Sequence, residues 1–196
     1  EGWGESLLHK NLVDFIRLAK TAGPEVGFVT SGMGLSTEYA RQIVDAGVDF
    51  MGFSVSGATS KTHNTIRVNS DFDALVETIK TVKRLSLLNP SGKPKLHIVY
   101  LMLTDNVKEI PDLLDVASKI GINEIVLLNI IQVTDALQDK HKAFSCEEGF
   151  LYKDTMKKAA EKAKKLNINL SMPSMSPQDV SVCSENPLEN IYISVD

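Results

Sequence analysis

Val48-Asp49-Phe50-Met51-Gly52-Phe53-Ser54-Val55-Ser56-Gly57 is the stretch that decides the fold. Residues 50–55 read as a short buried strand of aromatic and aliphatic side chains. The strand then runs into Ser56-Gly57-Ala58-Thr59-Ser60, small residues that cannot continue a core strand. In a parallel sheet, such a strand end is where backbone and hydroxyl groups meet a ligand. Residues 26–30 and 95–103 also read as strands, and they close in Thr30-Ser31-Gly32 and Thr104-Asp105-Asn106. The edge these ends share is the candidate site.

Outward from that stretch, residues 123–131 form a near-continuous Ile, Val and Leu run, as expected of a strand covered on both faces. Residues 168–172 give a last strand. Apolar spacing predicts helices over 7–22, 36–46, 71–88, 107–120 and 149–165. Gly23-Pro24, Gly47, Asn89-Pro90-Ser91-Gly92 and Gly121 stop four of them. Residues 56–70 and 132–148 read as loops. Strand–helix alternation of this kind gives an α/β fold: a parallel sheet with outer helices, either doubly wound or part of a β/α barrel. No Gly-x-Gly-x-x-Gly follows the first readable strand and no Walker sequence occurs, which argues against Rossmann and P-loop nucleotide sites.

A chain of 196 residues is one domain or a little more. Its net charge of −4 gives no general attraction for nucleic acid or an anionic membrane, so neither is an expected partner. No apolar run approaches the roughly 20 residues that cross a bilayer. Cys146 and Cys183 cannot build a disulfide framework, which fits a reducing, cytoplasmic compartment. The expected domain covers residues 1–172. Residues 173–196 read as a Ser/Pro-rich linker leading into the apolar run Ile191-Tyr192-Ile193-Ser194-Val195. The chain opens on Glu1-Gly2-Trp3 without Met and stops just beyond that run, so it is expected to be an excised part of a longer protein.

Residue chemistry supplies the candidates. Gly4-Glu5 lies in a glycine-rich loop whose backbone carbonyls suit a ligand ammonium group. A hydroxyl of Ser54 or Ser56, turned into a barrel, would hydrogen-bond a ligand. Arg67 could clamp a carboxylate bidentately. His63, His9, His97 and His141 have no partners at metal-ligand spacing.

Gly2-Trp3-Gly4-Glu5-Ser6-Leu7-Leu8-His9 resembles the Gly-Gly-Glu-Pro-Leu-Leu-His segment of radical S-adenosylmethionine enzymes. Thr30-Ser31-Gly32 resembles that family's Thr-Asn-Gly. Ser54-Val55-Ser56-Gly57, with His63 and Arg67 behind it, resembles its Ser-x-Asp-Gly followed by His-x-x-x-Arg. Order and spacing agree from residue 2 to about residue 172. The nearest likeness is to the branch containing peptide maturases and molybdopterin-precursor synthases.

The resemblance implies a partial (β/α)6 TIM-like barrel holding a [4Fe-4S] cluster and S-adenosylmethionine. In that family the reduced cluster cleaves the sulfonium, and the 5'-deoxyadenosyl radical takes a hydrogen atom from the substrate. Carried onto this chain, the Gly4-Glu5 backbone would hold the methionine ammonium group. Ser54 would contact the cofactor, with Ser31 and Ser56 on the same edge. Arg67 would take its carboxylate and Asn106 its ribose. Cys183 would match the first cysteine of an auxiliary-cluster (SPASM or twitch) extension. An electron donor such as flavodoxin or ferredoxin is implied, and the substrate, a peptide or small molecule, is left open.

Ser6 stands where the family has Pro, and Ser56 where it has Asp. The family's Cys-x3-Cys-x2-Cys is absent and would belong to a first strand upstream of Glu1. Four-iron clusters need cysteine thiolates, so this chain alone is expected to hold no catalytic cluster and to be inactive. A cofactor-free β/α binding or assembly domain is the rival. An aldolase ranks last, because Lys95 opens its strand at the end where no Schiff-base lysine belongs.

Overall fold

The computed structural model describes residues 4–130, 141, 143 and 152–173. Five strands form one sheet: β1 (Gly27–Thr30), β2 (Phe50–Val55), β3 (Lys95–Leu101), β4 (Glu124–Leu128) and β5 (Asn169–Ser171). They lie in the order β1-β2-β3-β4-β5, every pair parallel. The sheet is open, so the architecture is a partial TIM-like barrel.

The helices are α1 (Leu12–Thr21), α2 (Thr37–Asp45), α3 (Ser60–Ile66), α4 (Phe72–Leu88), α5 (Ile110–Lys119) and α6 (Lys153–Lys165) among the described residues. They follow from ordinary caps: Ser36 Oγ accepts the Tyr39 N–H and Asp71 Oδ1 accepts the N–H groups of Asp73 and Ala74. Met51, Phe53 and Val55 of β2, with Leu96, Ile98 and Tyr100 of β3, face the helices and are buried. Each such side chain contributes about 1.5–3 kcal/mol on burial. Gly52, Ser54, His97 and Val99 take the alternate, concave face.

Three predicted elements differ from the observed ones. The first helix, expected from residue 7, is a 3-10 turn Ser6–Leu8 and only then α1. Side chains intercept the backbone there: Glu5 accepts the Leu7 N–H and His9 Nδ1 accepts the Asn11 N–H. The helix expected over 107–120 likewise opens as a 3-10 turn, Val107–Glu109. Within the expected loop 56–70 sits α3, capped by Thr59 Oγ1 on the Thr62 N–H. The linker and extension from residue 174 onward, with Cys183, and also Cys146, lie outside the described residues.

At the amino edge of the sheet, the Asp49 carboxylate is only 4% exposed. It accepts the Val26 N–H at 2.7 Å and Lys20 Nζ at 2.7 Å, and also pairs with Lys93 Nζ. One side chain thus ties α1, the start of β1 and the turn before β3. Burial pushes its carboxyl up, but the hydrogen bonds from Lys20 and Lys93 outweigh this and hold it well below the carboxylate range. A depressed folded pKa stabilises the fold above the unfolded value of about 3.9 and fades as pH falls below it. Asp49→Asn is therefore expected to lower stability by about 1–3 kcal/mol near neutral pH. The deficit should shrink near about pH 3, as read by urea unfolding at both values. An equal deficit at both would remove the charge-dependent part of this account.

Candidate active site

The parallel pairing sends the ends of β1, β2, β3 and β4 to one rim, and the side chains there interlock. Glu5 comes from the loop before α1 and lays its carboxylate on the end of β1. Oε1 accepts Thr30 Oγ1 at 2.6 Å, and Oε2 accepts the Ser31 N–H at 2.8 Å and Ser31 Oγ at 2.7 Å. Burial raises the carboxyl, but the hydrogen bonds from Ser31, Thr30 and Leu7 prevail and keep it below its ordinary value. Glu5 is thus an ionised clasp, and Gly4, exposed at φ 127°, is carried beside it with its backbone open.

The end of β2 is fixed from behind. Buried His63 of α3 accepts the Ser56 N–H on Nδ1 at 3.1 Å, so its proton sits on Nε2, 2.9 Å from Ser70 Oγ. Burial first, and the Arg67 charge second, push this imidazole down to about 4, so it is a neutral strut at neutral pH. Gly57 leaves no room for a side chain: a Cβ would stand 2.6 Å from the His63 N and 2.8 Å from Thr62 Cβ. Glu109 braces the same turn, accepting the Ala58 N–H at 2.7 Å and the Thr62 hydroxyl.

Asn106 is fully buried and locks β2 to β3. Its Nδ2 donates to Ser56 O at 3.1 Å and Leu101 O at 3.0 Å, while Oδ1 accepts the Leu103 N–H at 2.8 Å. Its amide is spent on the protein's own backbone. Arg67, at the end of α3, donates from Nε to Ser56 Oγ at 3.0 Å. Burial lowers the Arg67 guanidinium and the Glu5 charge raises it, with burial ahead. Among the described residues no carboxylate ion-pairs with Arg67, so its terminal N–H groups stay available. Ser54, half-buried on the concave face beside Val99, has a hydroxyl with no protein partner among the described residues.

Next to the last turn of α3 opens a cavity of about 440 Å³ lined by Thr65, Ile66, Leu103, Asp105, Ile130 and His141. His141 Nδ1 lies 3.2 Å from Asp105 Oδ2 and the His141 carbonyl accepts the Thr104 N–H, so two of the lining residues are tied together. Next to Ile130, Asn129 Oδ1 is buried with no hydrogen-bond partner. A buried orphan acceptor is costly unless a ligand or water supplies a donor.

All the sequence candidates among the described residues therefore gather on this rim. Glu5, Ser31, Ser56 and Asn106 are bonded within the protein, while Gly4, Ser54 and Arg67 keep open groups. Sequence reasoning missed Glu109, Asn129 and the strut role of His63. The His63–Arg67 spacing on one helical turn was the available signal for the last.

Residues 2–117 match the sequence profile of the Radical SAM superfamily. The chain belongs to that superfamily. A tungsten-containing aldehyde ferredoxin oxidoreductase cofactor-modifying protein of Pyrococcus furiosus is 23% identical over 134 residues, 68% of this chain and 37% of that protein. The radical SAM fold recurs in SuiB of Streptococcus suis, at 13% identity with TM-score 0.68, over 87% of this chain and 38% of that one. SuiB bound to S-adenosylmethionine matches at TM-score 0.69 and 13% identity, and SuiB bound to the precursor peptide SuiA at 0.65 and 10% identity. These superpose over 87% of this chain, and over 38% and 37% of SuiB. The chain spans a little over a third of the length of these relatives.

Because a Cβ at Gly57 meets backbone rather than a movable side-chain tip, Gly57→Ala is expected to cost about 1–3 kcal/mol. It should also disorder the Ser56 turn. Thermal unfolding and the chemical shift of the Ser56 amide read both effects, and an unchanged melting temperature with an unmoved amide would contradict the packing described here.

Proposed function

We propose that this radical SAM domain belongs to a longer enzyme that binds S-adenosylmethionine at the rim just described and acts on a peptide or small molecule. The observation that carries the proposal is Arg67: a half-buried guanidinium, pinned through Nε by Ser56, with no other hydrogen-bond partner among the described residues. Such a fork suits a carboxylate. The open backbone at Gly4 suits the ammonium group of the same amino acid end. Ser54 Oγ offers a hydrogen bond between them and the strand end.

The nucleoside end fits the cavity next to the last turn of α3. Ile66, Leu103 and Ile130 supply apolar walls for a flat base, and Asp105 supplies an acceptor for hydroxyl or amino hydrogens. The ribose contact, expected at Asn106, is better assigned to Asp105, since the Asn106 amide is already bonded at both ends. Asn106 then acts as a positioning residue.

When bound, a [4Fe-4S] cluster and S-adenosylmethionine would supply one-electron chemistry and abstraction of a substrate hydrogen atom. This chain's residues bind and orient: they hold the amino acid end, close the nucleoside cavity and keep the sheet rim rigid. Its two cysteines do not provide the three thiolates of the family's cluster loop, so we assign the cluster to another part of the parent protein and no activity to this chain alone. Cys183 as an auxiliary-cluster ligand, a flavodoxin or ferredoxin donor and a cytoplasmic setting belong to the same proposal. They are supported by the family resemblance and by the sparse cysteines.

In the full-length protein carrying its cluster, Arg67→Ala is expected to weaken S-adenosylmethionine at least tenfold, which is about 1.4 kcal/mol. Ser54→Ala should weaken it several-fold and lower the 5'-deoxyadenosine yield. Calorimetry and product assay read the two effects. Unchanged affinity in Arg67→Ala would remove the rim from the cofactor site, and micromolar affinity of this chain alone would contradict the need for the cluster.

A further inference from the structure

The concave face carries a polar row that the cofactor reading leaves unused. The register aligns Gly52 with His97 and Glu124 with Asn169. The Ile98–Ile125 pair makes His97 and Glu124 neighbours on adjacent strands. His97, Glu124 and Asn169 therefore stand side by side on β3, β4 and β5, on the face turned away from the helices. Around them that face is apolar, with Phe50, Val99, Leu101, Val126 and Leu128.

His97 and Glu124 are half-buried and Asn169 is exposed. None of the three side chains hydrogen-bonds or ion-pairs with a described residue. Lys95, at the foot of the same face, is exposed and makes no ion pair with Glu124. Gly52 makes space for the imidazole: a Cβ there would lie 2.6 Å from His97 Nε2. The ring thus leans across β2, 6.3 Å from the Phe50 ring between centroids. Burial pushes His97 down, against the charge of Glu124, so its ring is neutral at neutral pH and offers an acceptor nitrogen. A half-buried carboxylate and imidazole with no hydrogen-bond partner among the described residues can take a donor from outside.

The geometry points to a substrate subsite for a primary ammonium group, held by Glu124 with His97 and Asn169 flanking it. An ammonium carries three donors and no acceptor, and this row presents three acceptors: a carboxylate, a ring nitrogen and an amide oxygen. The subsite rests on the cofactor reading, which puts S-adenosylmethionine on the rim where Ser54 stands. The row lies two residues below the Ser54–Val99 level along the strands, a drop of about 6–7 Å. That is about the reach of a four-carbon amine stem. A substrate carbon at the rim and an amine at the row would then span the apolar band formed by Val99 and Val126.

The test uses the full-length protein with its cluster and S-adenosylmethionine, and two probes that differ only in the terminal charge. N-acetyl-lysine methylamide is expected to bind at least tenfold more tightly than N-acetyl-norleucine methylamide by calorimetry. Glu124→Gln should erase that preference, and His97→Gln should reduce it several-fold, while S-adenosylmethionine affinity stays unchanged in both. Equal affinity for the two probes, no binding of either, or a preference that survives Glu124→Gln would overturn the subsite. Failure of the unaltered protein to bind S-adenosylmethionine would instead strike the cofactor reading, and the probe contrast would still judge this one.

Discussion

Parallel hydrogen bonding between strands taken in sequential order constrains everything else in this molecule. Each strand must leave the sheet at the same edge, so loops separated by 25 to 50 residues in the chain meet on one rim. The meeting is not left to the sheet alone. Glu5 fastens the loop before α1 to the end of β1, and Asn106 fastens β3 to β2. Both bonds join backbone to side chain, so they fix the path of the chain rather than only the position of a side chain.

The rim divides into groups whose hydrogen bonds are met and groups whose hydrogen bonds are open. His63, Glu109 and Asn106 are met within the protein and have framework roles. Arg67 and Ser54 keep open groups at the rim and on the concave face, and the Asn129 oxygen is buried without a partner. A framework made of neutral or fully paired groups leaves the Arg67 charge as the main feature an incoming anion can find. The amino edge shows the opposite economy, with the buried Asp49 carboxylate met on every side and serving the fold alone.

Much of this was legible in the sequence. The strands announced themselves as short apolar runs, three of them closed by Ser, Thr, Gly or Asn, and the rim followed once they were taken as parallel. Helix α3 was not legible, since Ser60-Lys61-Thr62-His63-Asn64-Thr65-Ile66 has no apolar period and depends on the Thr59 cap and on Glu109. The start of α1 was misjudged because Glu5 and His9 capture amides that helix periodicity assigns to the backbone. Residue type also could not separate strut from ligand contact. Asn106 and Asn129 are the same amide at neighbouring strand ends, and only the surrounding carbonyls and amides show that one is used up and the other is open. Glu109 reaches Ala58 across 51 residues, a relation with no local trace.

The central claim is that the rim is assembled by the protein's own hydrogen bonds before any cofactor arrives. Amide-resolved hydrogen exchange on the cofactor-free protein tests it at Ser31, Ser56, Ala58 and Leu103, whose N–H groups donate to Glu5, His63, Glu109 and Asn106. The account predicts exchange at these four as slow as in the middle of β2 and β3. Exchange as fast as in an exposed turn, slowing only when S-adenosylmethionine is added, would contradict it.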